Sequence, residues 1–192
     1  ADADADADAP SAAQPRTKHV TLLGARHGSG KAAYPNGDLY VGGYADGERS
    51  GNGKYVYASP PPAEGEEPKP PLATYTGEWA GGQKHGVGVM VFETGQKYHG
   101  MFTAGQYEGQ GTMYDATGDI YTGEWAAGKK HGAGTYMFET TGAKVDGTWV
   151  EGSMFEGTFT DKHGNAYTGG FDAGLAYASG GTFALANGAS AS

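Results

Sequence analysis

Residues 121–134 read Y-T-G-E-W-A-A-G-K-K-H-G-A-G, and residues 75–88 repeat them almost letter for letter as Y-T-G-E-W-A-G-G-Q-K-H-G-V-G. Copies of this string start at Tyr40, Tyr75, Tyr98, Tyr121, Val145 and Tyr167, at intervals of 35, 23, 23, 24 and 22 residues, so the unit is 23 residues with one extended interval. With each start counted as offset zero, glycine holds offset two in every copy (Gly42, Gly77, Gly100, Gly123, Gly147, Gly169). It also holds offset seven (Gly47, Gly82, Gly105, Gly128, Gly152, Gly174), and offset four is always aromatic (Tyr44, Trp79, Phe102, Trp125, Trp149, Phe171). Repeats of this length signify an array in which each unit buries its apolar face against its neighbours.

Within a copy the alternation has period two. Tyr121, Gly123 and Trp125 fall on one face of a short strand, and Gly132, Gly134, Tyr136 and Phe138 on one face of the next. A glycine turn around Gly128 joins them, and N-G-D or E-T-G turns such as 36–38 and 93–95 join successive copies. A ring at offset four needs room, which a glycine on the adjacent strand supplies. A lone hairpin is marginal, so the hairpins must add side by side. The predicted fold is all-β: a single-layer twisted antiparallel sheet of stacked β-hairpins, roughly 60 Å long at about 4.8 Å per strand.

Residues 1–16 begin A-D-A-D-A-D-A-D-A-P and predict a flexible acidic low-complexity tail. The array is expected over 17–188, opening with a degenerate copy at 17–39 that keeps Gly24, His27, Gly28, Gly30 and Gly37, and leaving a short tail at 189–192. The extended interval is explained by residues 58–74, A-S-P-P-P-A-E-G-E-E-P-K-P-P-L-A-T, whose prolines forbid ladder hydrogen bonds and predict a loop at one edge. That insertion reads either as a tolerated surface loop or as a docking segment. Glycines at offsets eleven and thirteen hold in the first four copies, but Glu156 and Thr158 replace them in the fifth and Ala178 replaces one in the sixth. The array is therefore expected to decay towards its C-terminal end.

The composition, with 36 glycines, 13 tyrosines and 38% hydrophobic residues, places burial on aromatics set against glycine. A net charge of -9 argues against nucleic acid as a partner. The lack of cysteine excludes disulfides and cysteine-ligated zinc. Gly28-Ser29-Gly30-Lys31 suggests the end of a phosphate-binding loop, but Ala25 and Ala32 stand where that motif needs glycine and a hydroxyl residue. His27, His85 and His131 share one offset, yet His85 and His131 are two copies and roughly 20 Å apart, too far for one ion at about 2 Å. With Arg26, Lys84 and Lys130 they predict a solvated basic edge. Glu78 and Glu124 recur at a spacing too wide for an acid/base pair. No cofactor, metal or catalytic site is expected, and the chain reads as a non-enzyme.

The candidate partner-binding residues form the aromatic face: Tyr55, Tyr75, Trp79, Met90, Phe92, Tyr98, Phe102, Met113, Tyr121, Trp125, Tyr136, Phe138 and Trp149. Large, adaptable side chains of this kind suit a groove for an extended or helical segment. The plainer alternative is that these rings pack only on one another and on glycine. The other face is small or polar (Thr122, Glu124, Thr135), with Glu124 expected to contribute little, apart from a stripe of Val87, Val89 and Val91 that is expected to be covered.

The pattern Y-x-G-x-W-x-x-G-x-x-H-G-x-G resembles the MORN (membrane occupation and recognition nexus) repeat over about residues 17–188, and residues 75–88 and 121–134 match it at every defining position. The resemblance implies a hairpin ribbon whose aromatic groove recognises protein segments and often self-associates, here as a homodimer or as a heterodimer with another MORN protein. The consecutive copies, and F-E-T-T-G-A-K at 138–144 leading into G-T-W-V-E-G at 147–152, are similar to the radial spoke head members of the family. That similarity implies a non-catalytic part of the ciliary axoneme, cytoplasmic and cytoskeletal, with other radial spoke proteins as partners and neither nucleic acid nor membrane. Two alternatives stand beside it. One is a peripheral membrane or phosphoinositide-binding module, which the charge balance disfavours. The other is a regulatory fragment of a larger enzyme, since lipid kinases and a lysine methyltransferase carry similar repeats, although no catalytic domain is expected beside the array.

Overall fold

A computed structural model of the chain describes residues 26–172, 177 and 180–191. The acidic segment 1–16, the opening of the first copy at 17–25, and Gly174 and Ala178 lie outside the described residues. The described residues form no helix and fourteen strands: β1 (Gly28–Ala33), β2 (Leu39–Ala45), β3 (Glu48–Tyr57), β4 (Ala73–Ala80), β5 (Gln83–Phe92), β6 (Lys97–Thr103) and β7 (Gln106–Tyr114), then β8 (Ile120–Ala126), β9 (Lys129–Met137), β10 (Lys144–Val150), β11 (Ser153–Thr160), β12 (Ala166–Gly170), β13 (Thr182–Ala184) and β14 (Ser190–Ala191). They make one antiparallel sheet whose spatial order is the sequence order, the predicted architecture. Residues 58–72 loop out between β3 and β4, closed at the neck by Leu72 N–H donating to the Tyr57 carbonyl at 2.9 Å. Ala73 and Thr74, expected in the insertion, belong to β4, and Ala73 is buried.

Two-residue turns close the hairpins at Asp46-Gly47, Ala104-Gly105, Ala127-Gly128 and Glu151-Gly152, with both residues at positive φ. This is the type I′ geometry that matches strand twist, and it fixes glycine at offset seven. The ladder then carries a bulge. Tyr121 to Gly123 pair with Tyr136 to Gly134, but Glu124 pairs with His131, leaving Gly132 and Ala133 over on β9. Gly132 therefore does not share a face with Gly134 as predicted. It takes φ +54, and a Cβ there would meet the Glu124 carboxylate. At the same place in the second copy, Glu78 Oε1 accepts the Val87 N–H at 3.0 Å. These glutamates close the bulges rather than idle on a polar surface.

The central rung of the sheet is glycine on every strand from β1 to β12, running from Gly30 through Gly123 and Gly134 to Gly169. The offset-zero tyrosines lie across it. A Cβ on Gly123 would stand 2.5 Å from the Gly134 Cα and 2.7 Å from the Tyr121 Oη. Each Oη reaches on to donate to the carbonyl three residues ahead: Tyr40 to Gly43, Tyr75 to Glu78, Tyr98 to Met101, Tyr121 to Glu124 and Tyr167 to Gly170, at 2.8–3.1 Å. The fifth copy, with Val145 at offset zero, fills the space with Met154, whose Cε lies over Gly147 and Gly157.

The glycine rung does not decay as expected. In the fifth copy the bulge is one residue shorter, so Gly157 takes the rung at offset twelve. In the sixth, Gly181 at offset fourteen lies against Gly169 under the Tyr167 ring. Edge-to-face ring pairs then link the copies: Tyr98–Trp125 at 5.3 Å, Tyr121–Trp125 at 5.3 Å and Tyr121–Trp149 at 5.2 Å between centroids. The Trp79 and Trp125 indoles also donate to the Gly53 and Gly111 carbonyls of the preceding copy.

A methyl group has no room on this rung. Gly123→Ala is expected to cost about 3 kcal/mol or more, against about 0.5 kcal/mol or less for Val41→Thr on the exposed opposite face, compared by urea denaturation midpoints.

Candidate protein-interaction face

All thirteen predicted residues belong to one face, at two depths. Tyr55, Tyr75, Trp79, Met90, Tyr98, Phe102, Tyr121, Trp125 and Trp149 are buried in the chain's own core, whereas Phe92, Met113, Tyr136 and Phe138 are half-buried against it. The rings at offsets zero and four lie down on the glycine rung and on each other, so they form the floor of the face. What remains accessible above them is Tyr57, Phe92, Met113, Phe138 and Phe159, together with the side chains at offset nine.

Offset nine escaped the sequence reading. The two-residue turn at offsets six and seven makes offset four pair with offset nine, as in Tyr44 with Arg49, Trp79 with Lys84, Phe102 with Tyr107 and Trp125 with Lys130. Counting through the predicted turn would have found this. Lys84 and Lys130 thus leave the predicted basic edge for the aromatic face. Lys130 Nζ lies 4.4 Å from the Tyr136 ring centroid and 5.0 Å from that of Trp149, and Lys84 Nζ sits 5.7 Å from Phe102. The Arg49 guanidinium lies 4.5 Å over Trp79 and donates twice to the Gly82 carbonyl. Tyr107 stacks on Tyr98 at 3.8 Å. His85 and His131 remain exposed, and His27 Nε2 lies 3.1 Å from Asp46.

Burial pushes the Lys84 ammonium below its usual range, and Lys130 likewise, with Asp115 and Asp119 pulling the other way. Among the described residues the ion pairs are His27–Asp46, Lys129–Glu151 and Lys144–Asp146, and none includes Arg49, Lys84 or Lys130. Burial also raises the phenols of Tyr75, Tyr107 and Tyr121 to about 12, with Glu78 and Glu124 adding to the effect on Tyr75 and Tyr121. Tyr55 and Tyr136 are raised too, first by burial and then because their hydroxyls donate to Asp38 and Asp119 at 2.7 and 2.9 Å. At the turn edge the face continues into a recess lined by Phe138, Thr141, Ala143, Phe159, Lys162 and His163.

On the opposite face Val87 and Val91 are 52% and 42% exposed, so nothing within the described chain covers the valine stripe. No group of three or more metal-ligating side chains occurs among the described residues.

The fold and this face define a tandem-hairpin repeat protein with one ring-lined side. The family model for the MORN repeat matches residues 23–39, 40–59, 75–97, 98–120 and 121–141, and the chain belongs to that family, a non-catalytic repeat module. Alsin of Homo sapiens and Alsin of Pan troglodytes are each 31% identical over 104 residues, covering 52% of this chain and 6% of theirs. The chain thus spans a small fraction of the length of these relatives. The SAS-4 (dCPAP) TCP domain of Drosophila melanogaster, solved in complex with a proline rich motif of Ana2 (dSTIL), aligns at a TM-score of 0.38 and 17% identity over 76% of this chain and 85% of that one. That likeness is too loose to bear on function.

Two outcomes follow from the buried titratable groups. A tyrosine raised in the folded state favours folding below the unfolded value near 10 and loses that contribution as pH climbs towards about 12. Urea stability is therefore expected to fall steeply above pH about 10, ahead of bulk phenolate absorbance in the folded protein. A lysine lowered by burial opposes folding while charged, so Lys84→Met and Lys130→Met are each expected to leave the thermal midpoint unchanged or higher; a drop of several degrees would show these lysines to be structural.

Proposed function

We propose that this chain is a non-catalytic scaffold that holds partner protein segments on its aromatic face, as a structural component of the radial spoke head in the ciliary axoneme. The observation that carries the binding role is the accessible tier of rings and cations above a self-packed floor. Tyr57, Phe92, Phe138, Arg49, Lys84 and Lys130 are not needed to fill the core, yet they are arrayed on one side at repeat spacing. The ciliary setting is supported by the similarity of residues 138–152 to radial spoke head members of the family. Other radial spoke proteins are the expected partners, with pairing to a second MORN protein a further mode. The -9 net charge speaks against an anionic membrane surface as the main partner.

A photo-crosslinking residue placed at Phe92 or Phe138, with Thr122 on the opposite face as control, tests this in ciliated cells. The expected result is adducts with axonemal proteins from the first two positions, in a protein retained after detergent extraction. Equal adducts from Thr122, or release of the protein with the membrane fraction, would overturn the reading.

A further inference from the structure

We infer that the segment received by this face is acidic and extended, runs along the array, and is recognised one copy at a time by the side chain at offset nine. The inference rests on the proposed role of the face in holding protein segments.

Across the first four copies the aromatic floor is nearly constant, while offset nine changes in chemistry: Arg49 on β3, Lys84 on β5, Tyr107 on β7 and Lys130 on β9. In the fifth copy Met154 is buried as a filler over the glycine rung, and the series ends there. Successive members are two strands apart, about 10 Å at about 4.8 Å per strand, which an extended chain covers in about three residues. Carboxylates three residues apart would therefore meet Arg49 and Lys84, an apolar or aromatic residue three further on would meet Tyr107, and a third carboxylate after another three would meet Lys130.

The charge of the ligand follows from what surrounds the cations. In a chain of net charge -9, all three stand over rings with no carboxylate in ion-pair range among the described residues. Half-buried ammonium and guanidinium groups held in place by rings gain more from an arriving carboxylate than solvated ones do. The Arg49 guanidinium is already oriented by its two bonds to the Gly82 carbonyl. Asp115 and Asp119 act on Lys130 from the rim of the face, and so favour its charged form. An anionic bilayer would meet these rim carboxylates and the chain's overall negative charge as well as the cations, whereas a single extended strand can follow the cation row alone.

The test uses the full chain and a synthetic ten-residue peptide with glutamate at its first, fourth and tenth positions, phenylalanine at its seventh, and serine elsewhere. Its affinity is compared with that of a permuted peptide carrying the same residues with the glutamates adjacent, and with phosphatidylinositol bisphosphate vesicles. The spaced peptide is expected to bind at least about tenfold more tightly than the permuted one, and Lys84→Met and Lys130→Met are each expected to weaken it about tenfold with no loss of thermal stability. Equal binding of both peptides, undiminished binding by both variants, or binding of the vesicles alone would overturn the inference. Crosslinks from Phe92 and Phe138 to segments lacking this acidic spacing would refute it while leaving the protein-binding role intact; absence of any protein crosslink from those positions would refute both.

Discussion

A tyrosine ring laid across a pair of facing glycines is the contact on which the rest of this molecule depends. Removing both side chains from one rung lets the ring approach the backbone closely enough for its hydroxyl to reach a carbonyl beyond the rung, as Tyr121 does to Glu124. With the ring lying down, its edge and face become available to the aromatic residues at offset four of its own and the next copy, and a continuous ring ladder follows. A single-layer sheet thereby acquires a core without a second layer. The degenerate copies show that the constraint belongs to the rung rather than to a sequence position. Gly157 and Gly181 shift by one residue to stay on it, and Met154 fills the space above it where Val145 replaces tyrosine.

Much of this architecture was legible in the sequence because its causes are local. Period-two alternation set the strands, glycine at offset seven set the type I′ turns, and the regular interval set the sheet order. The bulge was not legible. Two residues dropped between Gly123 and Glu124 on one strand and Gly134 and His131 on the other reverse the parity of everything between bulge and turn, so the lysines at 84 and 130 were assigned to an edge they do not occupy. The depth of the aromatic residues was also hidden. Sequence identifies which side chains share a face, but whether a ring stands up or lies down depends on what the opposing strand leaves empty, and that is a property of register.

The face therefore has two tiers with different work. Its floor holds the hairpins together and varies little from copy to copy, whereas the side chains at offset nine are free to change, from Arg49 through Tyr107 to Lys130, without disturbing the rings beneath. Binding specificity and stability are separated by one strand position. The reverse side shows a milder version of the same economy, with Thr112–Thr122 and Thr158–Thr168 hydroxyl pairs at 3.1 and 2.9 Å and Thr135 donating to Asp146 at 2.7 Å across neighbouring strands.

Because every strand is hydrogen-bonded only to the strands before and after it in sequence, no long-range closure locks the ends together. Tension applied at the two termini consequently reaches the hydrogen bonds one ladder at a time, peeling hairpins rather than shearing a whole sheet. The molecule is thereby an extensible tether: it lengthens in steps of a hairpin under modest force, keeps its remaining copies intact, and zips back when the load is released.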